Sequence, residues 1–162
     1  MRSIILVALM VFGSAAWSKE PILDLDPCIE QAALYHRVNA KTLKAIIYQE
    51  SRGKAWAINR NSNNTVDYGA AGINSVHLPE LARHGITQQA LMNGCVNVFV
   101  GAWKYAKKIA KYGNTWTAVG AYHSETPQHR DRYAAAIQRH LADWGYLPRM
   151  GPPNWRADLA WR

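Results

Sequence analysis

The chain has 162 residues and a formal net charge of +8, with 19 basic and 11 acidic side chains. This length makes a single domain the default and argues against a multidomain organisation. The positive charge suits a polyanionic partner, such as nucleic acid, an anionic membrane surface or a carboxylate-bearing cell wall. Composition alone does not choose among the three.

The first 18 residues have the layout of a secretory signal peptide. Arg2 provides a basic start, residues 4–12 form an apolar run, and small residues then precede candidate cleavage sites at Ala16 and Ser18. The run is too short to cross a bilayer, although an uncleaved N-terminal anchor is the alternative interpretation. Both interpretations place the rest of the chain outside the cytoplasm. We expect a periplasmic mature protein without a transmembrane segment, with its folded domain at residues 19–147.

The pattern that follows predicts a mainly α (α+β) domain. Asp26–Pro27 is typical of a helix start, and the first helix is predicted to run through His36. A second helix is predicted from Asn39 to Gly53. Residues 55–75 are rich in Asn, Gly and Thr and predict a loop with a short β-hairpin.

Helical spacing dominates the second half of the chain. Short helices are predicted at residues 79–84 and 87–92, and a long helix from Cys95 to Gly113. Asn114 is predicted to cap a helix that runs through Tyr122. The last helix begins at Thr126–Pro127, and its apolar side carries Tyr133, Ile137, Leu141 and Trp144. Residues 148–162 are predicted to form an irregular basic and aromatic tail.

Four lysines lie on the polar face of the long predicted helix: Lys104, Lys107, Lys108 and Lys111. The simplest interpretation is a solvated helix face. The functional alternative is that these charges hold the protein near an anionic wall or membrane.

Cys28 and Cys95 are the two cysteines of the chain. An even number of cysteines in an exported domain favours a disulfide between them. Two unpaired buried thiols are the alternative.

Glu50 continues an apolar stripe of the second predicted helix. Leu43, Ile46, Ile47 and Glu50 follow the i, i+3, i+4, i+7 spacing that places side chains on one helix face. A carboxylate that faces inward without a partner is costly to ionise, so burial raises its pKa and favours the protonated acid. A protonated glutamate suits glycoside cleavage, whose leaving oxygen must receive a proton. The structural alternative is an ion pair of Glu50 with Arg52 at a frayed helix end.

Four blocks of sequence carry a family resemblance. They are Ala-Ile-Ile-Tyr-Gln-Glu-Ser-Arg-Gly at 45–53, Asp-Tyr-Gly-Ala-Ala-Gly-Ile-Asn-Ser at 67–75, Cys-Val-Asn-Val-Phe-Val-Gly-Ala-Trp at 95–103 and Ala-Val-Gly-Ala-Tyr-His-Ser at 118–124. In this order they resemble the lytic transglycosylase family with the lysozyme-like fold. The resemblance covers residues 27–147 and is closest to small stand-alone members associated with conjugation, type IV pilus and type III or IV secretion systems.

The resemblance implies roles for individual residues. Glu50 would act as acid and then base in cleaving peptidoglycan glycan strands between N-acetylmuramic acid and N-acetylglucosamine, leaving a 1,6-anhydro sugar. Ser51 would orient Glu50 or the sugar. Asn74 would belong to the opposing wall of the cleft, and Tyr122 would lie near the carboxyl group across it. The same blocks place Tyr68 and His123 among the substrate-binding candidates.

Asp67 is the candidate for a second catalytic carboxylate. A lysozyme-type hydrolase would use such a residue to stabilise or capture the sugar cation, whereas the simpler role is an Asx-type turn or cap before Tyr68 and Gly69. Residues 70–72 depart from the family, which usually has Leu, Met and Gln where this chain has Ala, Ala and Gly. These small residues are expected to widen the cleft and remove one contact to the sugar. The alternative is that they are small to suit a partner or a tighter backbone, with catalysis intact.

Three functions follow for testing: a lytic transglycosylase, a catalytically weak or inactive peptidoglycan-binding scaffold, and a hydrolase using Asp67. DNA binding is disfavoured by the export signal and the lack of a recognition-helix motif. His77 and His123 lack metal-ligand spacing, so we assign no metal and no cofactor. We expect a monomer that serves a conjugation, pilus or secretion machine.

Overall fold

A computed structural model of the protein describes residues 20–148. The predicted signal peptide and almost all of the predicted tail lie outside the described residues. Six α-helices are present in the described part: α1 Asp26–His36, α2 Ala40–Ser51, α3 Leu78–Ala82, α4 Gly94–Tyr112, α5 Trp116–Ala121 and α6 Pro127–Asp143. Three short strands lie between α2 and α3: β1 Ile58–Arg60, β2 Val66–Tyr68 and β3 Ile73–Asn74. Two single 3-10 turns are formed by Ser75–His77 and Ala90–Met92. The predicted mainly α (α+β) class is confirmed.

Polar caps define where several helices begin. The Asn39 side chain accepts a hydrogen bond from the Thr42 backbone N–H at 2.9 Å, which places the start of α2 as predicted. The predicted cap of α5 at Asn114 is wrong by one residue. Thr115 has the extended backbone of a cap, and its hydroxyl accepts from the Ala118 N–H at 3.4 Å.

The segment predicted as a short hairpin forms a three-stranded antiparallel sheet in the order β1-β2-β3. Asp67 lies opposite Asn59 on β1 and opposite Asn74 on β3. Directly opposed residues of neighbouring strands share a face of the sheet. The sheet therefore collects one carboxyl and two amide side chains on a single face.

Helix α2 is shared by two apolar clusters. Leu43 and Ile47 pack in one cluster with α1, the loop before β3 and the start of α4, while Ile46 packs in the other with α5 and α6. All three side chains are fully buried. Glu50 follows these three residues on the same helix face. The packing of α2 therefore fixes the direction in which the Glu50 side chain points.

A disulfide joins α1 to α4. Cys28 and Cys95 are bonded, with Cα atoms 5.3 Å apart and 67 positions apart in sequence. The predicted pairing is confirmed.

Within residues 20–148, no helix combines the length and apolar character that crossing a membrane requires.

Candidate active site

An open cleft of about 550 Å³ runs between the sheet and the helices α4 and α5. Glu50 lies in it, at the end of α2. The sheet side of the cleft is lined by polar groups: Asn59, Asn61, Asn63, Thr65, Asp67 and Asn74. The helical side carries mainly charged and aromatic groups: His77, Lys104, Lys108, Tyr122, His123, Ser124 and Glu125. A polar, open cleft of this kind suits a hydroxyl- and amide-rich ligand.

Tyr133 on α6 holds the carboxyl group of Glu50. Its hydroxyl donates a hydrogen bond to Glu50 Oε1 at 2.5 Å across a sequence separation of 83. Burial and the charge of Glu50 raise the pKa of Tyr133 well above its usual range, so the hydroxyl keeps its proton. The His123 ring stacks parallel on the Tyr133 ring, with centroids 5.0 Å apart. The sequence pattern places Tyr133 on the apolar face of its helix and does not reveal this contact, because no local pattern reports a partner 83 positions away.

Burial raises the pKa of Glu50, and the nearby charge of Asp67 raises it further. The hydrogen bond from Tyr133 and the positive charge of Lys104 act in the opposite direction. The raising influence of burial prevails, so the protonated acid is favoured relative to a free glutamate. Arg52 makes no ion pair with Glu50 in the described structure; its guanidinium lies over the Tyr48 ring instead.

Asp67 is fixed by two amides rather than by a turn. Its two carboxyl oxygens accept hydrogen bonds from Asn74 Nδ2 at 2.7 Å and from Asn61 Nδ2 at 3.0 Å. It lies within strand β2, so the expected Asx-turn or cap role is wrong. Asp67 and Glu50 line the same cleft, as a second carboxylate would have to.

The segment 69–72 passes beside Glu50 and is held by hydrogen bonds to its backbone. Ser51 Oγ donates to the Ala70 carbonyl at 2.8 Å, and Tyr122 Oη donates to the Ala71 carbonyl at 2.7 Å. Both hydroxyls therefore position this segment rather than bonding to Glu50 itself. Tyr122 also lines the cleft.

Asn97 completes the anchoring of this segment and was missed as a site residue. Its fully buried amide accepts from the Ala71 N–H at 2.7 Å and donates to the Tyr68 and Leu91 carbonyls, both at 2.9 Å. Satisfying every partner of a buried amide makes the loop geometry rigid. The side chain of Tyr68, a predicted substrate-binding residue, is buried in the core and does not line the cleft.

Ala70 and Ala71 are fully buried and pack into the core. They do not line the cleft, so the expectation that they widen it is wrong. Gly101 accommodates this packing, because a Cβ atom there would lie 2.6 Å from the Ala71 Cβ. Gly72 does face the cleft, with a φ of +57°. A Cβ atom at Gly72 would lie 2.7 Å from Glu50 Oε2. Glycine therefore allows the backbone to approach the carboxyl group closely.

The four lysines of α4 do not form one solvated face. Lys107 and Lys111 are exposed, whereas Lys104 turns into the cleft and lies over the Tyr122 ring at 4.2 Å from its centroid. Lys108 lines the cleft while paired with Glu125. Among residues 20–148 there is no cluster of three or more His, Cys, Asp or Glu side chains that could hold a metal ion.

A mainly helical domain with a small sheet, whose cleft holds a glutamate of raised pKa, defines a protein of the lysozyme-like class. The model of the transglycosylase SLT domain matches residues 27–141. The chain belongs to this family, whose members are lytic transglycosylases.

Individual relatives cover most of the same region. The invasion protein IagB of Salmonella typhimurium is 38% identical over 115 residues, which are 68% of this chain and 72% of that protein. An X polypeptide of Escherichia coli is 34% identical over 125 residues, which are 73% of this chain and 74% of that protein. Protein IpgF of Shigella sonnei is 32% identical over 124 residues, covering 74% and 82% respectively.

Proposed function

We propose that this protein is a lytic transglycosylase that cleaves the β-1,4 bond between N-acetylmuramic acid and N-acetylglucosamine in peptidoglycan. The observation that carries the proposal is Glu50 itself, a glutamate that opens into a polar cleft and whose pKa is raised by burial. Family membership supports the same reaction.

In the proposed mechanism Glu50 donates its proton to the glycosidic oxygen, and the muramic sugar acquires oxocarbenium character as the bond breaks. The Glu50 carboxylate then accepts the proton of the muramic 6-hydroxyl. The hydroxyl oxygen attacks C1 of the same sugar, which closes a 1,6-anhydro ring without consuming water. A nucleophile held within the substrate has a high effective concentration, so the protein supplies the proton transfers and the geometry but no nucleophile of its own.

The contacts of Glu50 support both halves of this cycle. Tyr133 donates to one carboxyl oxygen and stabilises the ionised form that exists after the first proton transfer. The segment braced by Ser51 and Tyr122 positions Gly72 against the other oxygen. Asn74 and His123 line the cleft and are proposed to bind the sugar.

A hydrolase is the second candidate, favoured by the presence of Asp67 in the same cleft. Digestion of purified sacculi followed by mass spectrometry separates the two reactions. Anhydro-muropeptides support transglycosylation, reducing ends indicate hydrolysis, and intact glycan that pellets with the protein indicates the scaffold.

Variants assign the residues in the same assay. Glu50→Gln is expected to abolish release, and continued cleavage would overturn the assignment. Glu125→Gln is the matched control, since Glu125 also lines the cleft but is paired with Lys108 and Lys111. Asp67→Asn should leave the anhydro product if Asp67 only shapes the cleft, and should abolish cleavage if it acts as the second carboxylate.

We further propose that the mature protein is a periplasmic monomer that opens the wall locally for an envelope-spanning machine. The proposal is supported by the signal-peptide pattern of residues 1–18 and by relatives such as the invasion protein IagB. The intact mass of protein recovered from the periplasm tests the cleavage, and a mass that retains the leader would contradict it.

A further inference from the structure

Lys104 differs from the other lysines of its helix in having no carboxylate partner. The other three each contact a carboxylate at 2.7 Å: Lys107 contacts Glu80, Lys108 contacts Glu125, and Lys111 contacts Glu125. No ion pair of Lys104 is present within residues 20–148. The difference is not one of helix face alone, because Lys104 and Lys108 both line the cleft.

The Lys104 ammonium is held at a defined place in the cleft. It lies 4.2 Å from the centroid of the Tyr122 ring, and that ring is fixed by the hydrogen bond of its hydroxyl to the Ala71 carbonyl. A cation over an aromatic face is attracted to it, and the attraction orients the lysine without neutralising its charge. Lys104 therefore presents a positive charge to the same space that Glu50 and Asp67 line.

This arrangement is electrostatically incomplete. Burial and the charge of Lys108 lower the pKa of Lys104, although the charges of Glu50 and Asp67 act against that shift. A partly buried ammonium that makes no ion pair is less stable than one held against a carboxylate. In the proposed reaction, positive charge also develops on the sugar, and an unpaired cation in the same cleft opposes it. An anion brought in by the substrate would remove both penalties.

We propose that Lys104 binds a carboxylate of the glycan substrate and makes the cleft selective for strands that carry one. The inference rests on the proposed function, because it takes peptidoglycan as the ligand. The shared chemistry is a carboxylate. The stem peptide supplies it in strands that carry peptides, and the lactyl group of the muramic sugar supplies it in strands without them, where its carboxyl is not in an amide bond. An ammonium paired with a carboxylate forms a charge-assisted hydrogen bond, which is stronger than a neutral one.

The test measures binding in the Glu50→Gln background, so that no turnover occurs. Three soluble glycan ligands are compared: strands with stem peptides, the same strands after enzymatic removal of the peptides, and peptide-bearing strands whose carboxylates are converted to methylamides. Protein with Lys104 is expected to bind the first ligand about 10-fold more tightly than the methylamide. Retained affinity for the peptide-free strands shows that the lactyl carboxylate, which removal of the peptide exposes, can also occupy the site. A loss of affinity assigns the site to the carboxylates of the stem peptide.

Matched variants show whether the selectivity belongs to Lys104. Lys104→Met is expected to bind native and methylamidated strands equally, whereas Lys104→Arg retains the preference. Lys107→Met removes one charge from the exposed side of the same helix and should also retain it. Melting temperatures of all variants establish that each is folded. A preference that survives in Lys104→Met, or that Lys107→Met loses to the same degree, overturns the inference.

Failure of this inference is separate from failure of the proposed function. The proposed function fails if the wild-type protein releases no anhydro-muropeptides from sacculi. The Lys104 inference is decided by the ratio of two binding constants, which needs no catalysis. A protein that cleaves but shows no carboxylate preference would refute the inference and leave the proposed function standing.

Discussion

Gly72→Ala tests how closely the backbone must approach the catalytic candidate. Gly72 has a φ of +57°, and a Cβ atom there would lie 2.7 Å from Glu50 Oε2 and 3.3 Å from its Cδ. A contact between carbon and oxygen needs a separation of about 3.2 Å or more, so the carboxyl group must move by roughly 0.5 Å. Glu50 cannot move freely, because Oε1 is bonded to Tyr133 at 2.5 Å.

The displacement is expected to lower kcat rather than binding. A misplacement of about 1 Å in a catalytic group costs about 100-fold in rate, so we expect a loss of between about 10-fold and 100-fold for Gly72→Ala. The left-handed backbone adds a destabilisation of about 1 kcal/mol, which should lower the melting temperature by a few degrees. The assay is the initial rate of anhydro-muropeptide release, with the melting curve measured on the same preparation.

Gly85→Ala is the matched control for backbone strain. Gly85 has a φ of +72°, and a Cβ atom there would meet no atom within 4 Å. This variant should lose a similar amount of stability and keep its activity. The reasoning is refuted if Gly72→Ala is as active as Gly85→Ala, since the close approach to Glu50 would then have no consequence.

Three further predictions use the same protein preparations. Tyr133→Phe removes a hydrogen-bond donor that lowers the pKa of Glu50, so the alkaline fall of the pH–activity profile should move to higher pH. The rate should be about 10-fold lower. The control Tyr105→Phe is expected to leave the profile in place, and an unmoved profile in Tyr133→Phe would contradict the prediction. Burial raises the folded-state pKa of Glu50 above its ordinary value of 4.5, so the native protein loses stability as pH rises from 4.5 through the folded-state pKa. Glu50→Gln removes this ionisation and should therefore raise the melting temperature at pH 7. This gain should vanish below pH 4.5, and a gain independent of pH would refute the argument. Cys28→Ser opens a crosslink spanning 67 positions and should cost about 4 kcal/mol, or about 10 °C in melting temperature; a melting curve that is unchanged by reducing agent would count against this value.

Local sequence patterns predicted the helices and the direction of Glu50. The stripe of Leu43, Ile46 and Ile47 is fully buried as its spacing indicated, and Glu50 continues it into the cleft. These features depend on the helical period and on side chains a few residues apart, which a sequence displays directly. The pairing of Cys28 with Cys95 was predictable because the chain offers one combination.

The start of α5 shows the limit of this reasoning. Asn114 and Thr115 are adjacent and both suit a helix cap, so residue preference alone did not distinguish them. The neighbouring backbone decided it, since Thr115 adopts the extended conformation of a cap. Residues 70–71 illustrate the same limit. The family pattern placed these alanines in the wall of the cleft, whereas the packing of the folded chain buries both in the core.

The sequence by itself determined which carboxyl group lies on the inner face of α2, because the period of a helix relates neighbouring residues. Only the tertiary structure decided what surrounds that group. Tyr133 comes from α6, Lys104 from α4 and Asp67 from the sheet, and each influences the pKa of Glu50 through space. Electrostatic and hydrogen-bond partners are set by the packing of distant elements, and no local period encodes them.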